Sequence, residues 1–272
     1  MRFLINLDLE GINHVVGAPY QGLSGAPEQY QLACEQAVTE VNTVASALFD
    51  AGAEFVAFWD NHGGGGNVDP AKLDPRLHIY AKPETAGDRM NFTDELHLDG
   101  LFLIGYHAKE GTLGGVLAHT MSSVNYQYIR IGGHDVGEMA IDAYIASAKG
   151  YPLRFVSSDD KGVAEARAFL PGVRTVVTKT GLSRNEAIFR RDEEVKAEQY
   201  TQAKAAALDA PVLTPLAFPA ILEVRYTRME RAAEALENLR TKYQIEAAYK
   251  GDAHTLTYMM HSIADLQHLL RS

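Results

Sequence analysis

The sequence has a single cysteine, Cys34, among its 272 residues. One cysteine cannot form a disulfide within the chain, which excludes the disulfide-rich secreted domains and favours a reducing, cytoplasmic location. Cys34 falls on a predicted helix and has no activating neighbour. We therefore interpret it as a small hydrophobic residue and not as a nucleophile.

Long apolar runs and excess positive charge are also lacking. The N-terminal segment MRFLINLDLEG turns acidic after a few apolar residues, so we interpret it as a first strand and not as a signal peptide or membrane span. The chain has 25 Lys and Arg against 35 Asp and Glu, a formal net charge of -10. Such a surface repels phosphate backbones and anionic lipid, so we expect neither nucleic acid nor a membrane as partner.

Short apolar runs and amphipathic segments alternate along most of the chain. The runs predict buried strands at Phe3–Leu7, Phe55–Trp59, Leu101–Tyr106, Leu153–Ser157 and Val173–Thr178. The amphipathic segments predict helices at Glu28–Ala51, Val136–Ser147, Lys161–Phe169 and Arg184–Gln202. This alternation predicts an α/β fold with a mostly parallel sheet flanked by helices.

The character of the sequence changes near residue 203, where three prolines precede a further set of predicted elements. These elements are a strand at Ile221–Tyr226, a helix at Arg228–Tyr243 and a final helix after Leu256. We predict an α/β metal-binding catalytic domain over residues 1–202 and a smaller α+β region over residues 203–272.

Acidic and histidine side chains follow three of the predicted strands. Asp8 and Glu10 end the first strand two residues apart, His62 follows FVAFWD, and His107 follows LFLIGY. Residues two apart on a strand point to the same side, and the carboxyl edge of a parallel sheet is where ligands bind. Carboxylates with imidazoles and no thiolate are typical ligands for zinc or manganese.

Two metal ions need a further carboxylate, and Glu138, after the Gly132-Gly133 turn, is the best candidate. We predict that Asp8 bridges the two ions and that Asp60 orients His62 by accepting its free ring N–H. His119, in GGVLAHTMSS, lies on a loop where it could face the metals without binding them, in a proton-transfer role.

Each of these residues also has a structural interpretation when it is taken alone. A strand-end carboxylate is often a turn or helix cap, and Glu138 could only complement a helix dipole. A single histidine is often a partly buried hydrogen-bonding residue. The convergence of separate segments favours a metal site.

Several other polar residues remain candidates. His134 neighbours Glu138 and could replace one of the ligands, and Asp159-Asp160 follow a strand and could face the site. Lys179 with Ser183 and Arg184, in TKTGLSR, could bind a substrate carboxylate, although a solvated helix start is the alternative.

An ordered set of motifs resembles the DppA-type D-aminopeptidase family of zinc metallopeptidases. The motifs are NLDLEGI, WDNHG, GYHAKEGTLGGVLAHTM, VGEMAIDAY, SSDD and TKTGLSR. The resemblance implies a dizinc centre whose ligands match Asp8, Glu10, His62, His107 and Glu138, with His119 in the place of the catalytic histidine. It also implies a decamer of two stacked five-subunit rings, and release of N-terminal D-amino acids, notably D-Ala, from short peptides.

These observations predict a dizinc aminopeptidase that hydrolyses short peptides or aminoacyl amides through metal-activated water, with Mn²⁺ or Co²⁺ as alternative metals. The glycine-rich stretches after His62 and at Gly111–Gly115 border the predicted site, so the D or L preference stays open. Two alternatives also stay open: a dinuclear hydrolase of another class, such as a phosphoesterase or amidase, and a non-catalytic metal-dependent peptide-binding protein.

Overall fold

The computed structural model describes residues 1–19, 21–81 and 85–272. Its strands, in chain order, are β1 (Arg2–Leu7), β2 (Phe55–Asp60), β3 (His78–Tyr80), β4 (Gly100–Tyr106), β5 (Tyr126–Ile131), β6 (His134–Asp135), β7 (Leu153–Ser158), β8 (Arg174–Val177), β9 (Lys179–Ser183), β10 (Glu186–Phe189), β11 (Ala220–Tyr226), β12 (Ala248–Tyr249) and β13 (Thr255–Met260). Its α-helices are α1 (Pro27–Asp50), α2 (Glu138–Ala148), α3 (Asp160–Phe169), α4 (Asp192–Leu208), α5 (Met229–Thr241) and α6 (Ile263–Arg271).

The main sheet has six strands in the order β3-β2-β1-β4-β7-β8, and every neighbouring pair is parallel. Strand β1 is buried on both faces. Phe3, Ile5 and Leu7 pack in one core with apolar residues of α1 and α4, whereas Leu4 packs in a second core on the opposite face. The predicted α/β fold with helices on a parallel sheet is confirmed.

A five-stranded antiparallel sheet, in the order β12-β13-β11-β5-β6, covers the second core together with α2, α5 and α6. Strands β5 and β6 lie before residue 202, yet they share this sheet with strands from the C-terminal seventy residues. The division into residues 1–202 and 203–272 stays a prediction. Within the described ranges, no helix is both long and apolar enough to cross a lipid bilayer.

Two segments differ from the sequence-based predictions. The region predicted as a helix over Arg184–Gln202 begins as the β9–β10 hairpin, and α4 starts only at Asp192. A turn at Arg184-Asn185 closes this hairpin. The prediction failed because a short polar turn between two brief strands has a sequence similar to the start of a helix. The segment around Leu256 is the interior strand β13, which was not predicted, and the final helix predicted after Leu256 follows it as α6.

Candidate metal centre

The strand order places three of the predicted segments side by side. Strands β2, β1 and β4 are neighbours, so the loops that follow them meet at one edge of the sheet. Asp8 and Glu10 follow β1, His62 follows β2, and His107 directly follows β4. Glu138 begins α2 and reaches the same edge. Asp8, Glu10, His107 and Glu138 are all buried. Acidic groups are rarely buried without a partner.

Two glycines allow the loop after β1 to lie directly on the end of β4. The Gly11 N–H donates to the Gly105 carbonyl at 2.7 Å, and a Cβ at Gly11 would come within 1.9 Å of the Tyr106 oxygen. Gly105 has φ +70°, and a Cβ there would meet the backbone oxygen of Asp8 at 2.2 Å. Only glycine fits at both positions. This close approach brings the acids after β1 next to His107.

His62 lies against both acids that follow β1. Its Nδ1 is 2.9 Å from Oδ1 of Asp8 and 3.0 Å from Oε2 of Glu10. Burial lowers the pKa of His62, but the charge of Glu10 and hydrogen bonds with Asp8 and Glu10 outweigh it and raise the pKa to about 11. The local electrostatic potential therefore strongly favours a positive charge at this position.

His107 lies between the two outer carboxylates of the cluster. Its Nε2 is 3.4 Å from Oδ2 of Asp8 and 3.3 Å from Oε1 of Glu138. Within the described chain, this nitrogen has no hydrogen-bond partner although it is buried. The other ring nitrogen, Nδ1, lies 3.0 Å from the Ala108 carbonyl. With Nδ1–H donating to that carbonyl, a neutral His107 would present the lone pair of Nε2 to a cation bound between the carboxylates.

Glu138 interacts with both histidines on the far side of the cluster. Burial raises the pKa of Glu138, but interactions with His107 and the charge of His119 lower it to about 2. Burial likewise lowers the pKa of His107, and attraction to Asp8 and Glu138 raises it well above its ordinary value. The carboxylate of Glu138 is therefore held in its ionised form at the sheet edge.

His119 stacks on His107, with ring centroids 3.9 Å apart and planes at 17°. Its Nδ1 lies 2.9 Å from the Leu117 carbonyl, and its Nε2 lies 3.7 Å from Oε1 of Glu138. Leu117 and Met121, on either side, have the left-handed φ values of 51° and 61°, which are costly for residues with a side chain. The Met121 N–H donates to Oε1 of Glu138 at 2.8 Å, so this carboxylate anchors the strained segment.

The donor set fits one or two divalent cations. Asp8, Glu10 and His107 offer ligand atoms within 4.8 Å of one another, and so do His107, His119 and Glu138. Carboxylate oxygens and imidazole nitrogens are the ligands that zinc takes at hydrolytic sites, and His107 Nε2 is an orphaned buried donor atom. The second group contains His119, so the geometry admits His119 as a ligand as well as a free imidazole.

A cavity of about 440 Å³ opens over the carboxylates, a size typical of small-ligand sites. Its lining includes two residues that the sequence did not single out, Asn61 and Arg89. Arg89 forms a bidentate pair with Asp142 at 2.7 and 2.9 Å, and its Nη2 lies 3.9 Å from Oε2 of Glu138. No motif marks Arg89, whereas Asn61 belongs to the WDNHG motif.

The role predicted for Asp60 is wrong. Both of its carboxylate oxygens accept hydrogen bonds from Asn67, at 2.6 Å from the backbone N–H and 2.7 Å from the side chain. Asn67 also donates to the backbone carbonyl of His62 at 2.9 Å. Asp60 therefore helps to hold the backbone at His62 through Asn67 and does not contact the imidazole ring.

Lys179 is also not placed to bind a substrate. It is fully buried, and its Nζ donates to the backbone carbonyls of Glu10, Ile12 and Val15 at 2.6, 2.7 and 2.6 Å. Burial lowers the pKa of Lys179 to about 8, although nearby acids oppose this shift. Lys179 therefore fixes the path of the loop after β1. Arg184, by contrast, lines the cavity.

The remaining candidates lie in structural positions. Asp159 is the N-cap of α3, accepts hydrogen bonds from Lys161 and Gly162, and also accepts one from Val116 at 2.7 Å. Asp160 accepts a hydrogen bond from the Gly181 N–H at 2.8 Å. His134 is exposed on β6 and belongs to neither group of clustered ligand atoms.

Comparisons with known proteins identify the family to which the chain belongs. A D-aminopeptidase of Bacillus subtilis (strain 168) is 26% identical over 185 residues, which cover 68% of this chain and 66% of that protein. The solved structure of a zinc-dependent D-aminopeptidase from Bacillus subtilis, DppA, described as a self-compartmentalizing protease, superposes with a TM-score of 0.87 at 21% identity. It covers 100% of this chain and 96% of that one, and so shows the same fold. The model of the D-aminopeptidase family, Peptidase_M55, matches residues 1–271. The chain therefore belongs to the D-aminopeptidase family of enzymes.

Proposed function

We propose that this protein is a dizinc aminopeptidase that removes N-terminal D-amino acids from short peptides or aminoacyl amides. The ligands in this proposal are Asp8, Glu10, His62, His107 and Glu138, with Asp8 as the bridge between the two ions. The family membership and the zinc-dependent structural relative support it. Mn²⁺ and Co²⁺ accept the same ligands and are alternative occupants.

The observation that carries the proposal is the environment of His107. Its buried Nε2 faces Asp8 and Glu138 at 3.3–3.4 Å and makes no hydrogen bond to any described residue. A buried polar atom without a hydrogen-bond partner is costly, and a bound ion would offset that cost. Since the neighbouring oxygens belong to carboxylates, the ligand that satisfies all of these atoms is a cation.

Zinc bound there would polarise the peptide carbonyl and lower the pKa of water from 15.7 toward roughly 7. His119 supplies the proton chemistry in the proposal. Because its Nδ1–H donates to the Leu117 carbonyl, Nε2 is the atom that accepts a proton from the nucleophile and returns it to the departing amine. Protonated His119 would also stabilise the negative oxygen of the tetrahedral intermediate.

The assembly that we propose is a decamer of two stacked five-subunit rings, in the cytoplasm. The solved relative is described as self-compartmentalizing, which supports a closed assembly around an internal space. With a chain of 29.8 kDa, ten subunits would have a mass of about 298 kDa. Light scattering coupled to gel filtration measures this mass directly, and a monomer or dimer would contradict the proposal.

A substrate panel tests the proposed activity. The zinc-loaded protein is assayed against matched D-Ala and L-Ala dipeptides and alaninamides, with phosphate monoesters and diesters as a separate class. We expect release of D-alanine and little release of L-alanine. The D8N variant is the matched control, because it keeps the side-chain shape but loses the bridging charge. Cleavage of phosphate esters without peptide cleavage would overturn the proposal.

A further inference from the structure

Two arginines line the cavity in the part of the chain that the structure describes. They differ in whether an acidic side chain already pairs with the guanidinium. Arg89 is buried, and its Nε and Nη2 are bound to both oxygens of Asp142. Arg184 is exposed at the turn of the β9–β10 hairpin, and no acidic side chain in the described ranges lies within 4.0 Å of it. Of these two arginines, Arg184 is therefore the one whose guanidinium can form an ion pair with a ligand.

The guanidinium of Arg184 is held close to the proposed catalytic histidine. Its Nη1 donates to the Ala118 carbonyl at 2.5 Å, directly before His119 in the chain. The backbone oxygen of Arg184 accepts a hydrogen bond from the Leu117 N–H at 2.8 Å. These two contacts use one donor of the guanidinium. A guanidinium has five donors in a planar fork that matches a carboxylate, so the others remain for a ligand.

The proposed metal ligands and Arg184 line the same cavity. Asp8, Glu10 and Glu138 would be neutralised by the two proposed ions, and Arg184 would remain as a cation for an anionic group. A peptide would then place its amino end at the metal ions and its carboxylate at Arg184. A cavity of about 440 Å³ lies toward the small end of the range for ligand sites, which suits a di- or tripeptide.

We propose that Arg184 binds the C-terminal carboxylate of the peptide substrate and so makes the enzyme selective for very short peptides with a free carboxyl end. This inference rests on the proposed aminopeptidase function. It adds recognition of the C-terminal end of the substrate, which the metal site does not bind. In this proposal, a short peptide reaches from the metal ligands to Arg184 within the one cavity that both line. A longer peptide places its carboxylate elsewhere, and an amide has no charge there.

Arg184 could instead act only as a positioning residue for the loop that carries His119. In that case its loss would slow the cleavage of charged and uncharged substrates by the same factor. The ratio of kcat/KM for a free acid to that for its amide separates the two roles, because a change in the position of His119 cancels in the ratio.

The test compares D-Ala-Gly with D-Ala-Gly-amide, and D-alanine release is measured for each on the zinc-loaded protein. The variants are R184Q, which removes the charge, and R184K, which keeps it, with R191Q as the matched control on an exposed arginine away from the cavity. We expect R184Q to lower the acid-to-amide ratio by about 10- to 100-fold, as for loss of a charge-assisted hydrogen bond. R184K should retain part of the preference and R191Q all of it. An unchanged ratio in R184Q would overturn the proposal.

A binding measurement separates this inference from the proposed activity. Calorimetry compares N-acetyl-D-Ala-Gly with its C-terminal amide on zinc-loaded wild-type and R184Q proteins, since the blocked amine prevents cleavage. We expect the acid to bind more tightly than the amide, and the R184Q substitution to remove that difference. If no peptide is cleaved but this preference is present, the activity proposal fails and the carboxylate site stands. If peptides are cleaved but the acid binds no more tightly than the amide, the carboxylate site fails and the activity proposal stands.

Discussion

Two buried polar clusters contact the loop after β1, and they differ in how their charge is compensated. In the first, Lys179 donates to three backbone carbonyls and so has a partner for every one of its N–H groups. In the second, His107 has a buried nitrogen without a hydrogen-bond partner in the described chain, between two carboxylates. The first cluster is complete within the protein, and the second is the cluster proposed to bind a metal cation.

This difference distinguishes a structural charge from a functional one where the sequence pattern does not. His107 directly follows the main-sheet strand β4, Lys179 comes two residues after the main-sheet strand β8, and both lie in motifs with glycine nearby. Burial costs a charged group several kcal/mol unless partners offset it. The lysine obtains its partners from the backbone, which lacks net charge. The acids near His107 are flanked by histidines and Arg89, and each of Asp8 and Glu138 accepts one backbone N–H, from Leu9 and Met121 respectively.

Removal of the metal should have the largest effect. We expect chelation to abolish peptide cleavage while the far-ultraviolet circular dichroism spectrum stays unchanged, because the two apolar cores do not include the cluster. Zinc added back should restore activity. If chelation unfolds the protein, the metal is structural and the comparison with Lys179 loses its meaning.

The H119A substitution tests the histidine that the geometry leaves in two possible roles. We expect a fall in kcat of about 10²–10⁴-fold, the range for loss of a general acid or base, with close to two zinc ions still bound per subunit. Metal analysis beside kinetics is the measurement. Loss of zinc in parallel with activity would make His119 a ligand, as its distance of 3.7 Å from Glu138 allows.

The K179M substitution tests the complete cluster. It leaves the carbonyls of Glu10, Ile12 and Val15 buried without their donor, and we expect a loss of about 3–5 kcal/mol in the free energy of unfolding. Urea denaturation of K179M and of the exposed control K242M measures the difference. Equal stabilities for the two variants would show that Lys179 is dispensable to the fold.

The E40Q substitution sharpens the same side of the comparison through pH. Glu40 is fully buried, and burial raises its pKa to about 7 against hydrogen bonds from the Asn13 N–H and Gln199 and the charge of Lys179, with Asp192 adding to the rise. Since the pKa in the folded protein exceeds the ordinary value of 4.5, the contribution of Glu40 to stability is full below pH 4.5 and is lost as pH rises through 7.

We therefore expect E40Q to gain about 2 kcal/mol relative to the wild type between pH 5 and pH 8. The substitution is tolerable because Oε1 of Gln199 has no hydrogen-bond partner in the described chain and can accept from the new amide after a flip. Urea denaturation at both pH values is the measurement. A constant difference between the two proteins would mean that Glu40 titrates at its ordinary pKa.

The sequence predicted the main sheet well because its strands are buried on both faces and read as continuous apolar runs. It failed where local signals conflict with tertiary pairing. The β9–β10 hairpin is short and polar, so its residues resembled the start of a helix. Strand β13 was missed because its role in the second sheet depends on pairing with β11, which lies 30–40 residues earlier.

The five proposed ligands could be selected because four of them follow neighbouring strands and the fifth begins a helix. Their clustering is observed, while their binding of zinc stays a prediction. Arg89 could not be selected, since it lies in a region of short 3-10 turns without a strand or helix to give its direction. The role of Lys179 was missed because a lysine is almost never expected to be fully buried.

One carboxylate oxygen of Glu138 makes two kinds of contact, and this affects how substitutions of Glu138 should be interpreted. Oε1 faces both histidines and also accepts the Met121 N–H that anchors a left-handed backbone next to His119. An E138A protein would release that backbone at the same moment as it lost a proposed ligand. Metal binding at the proposed site and the orientation of the His119 ring would thus both depend on Oε1 of Glu138. A cation bound by this oxygen would therefore also change the position of His119, the residue proposed to transfer the proton.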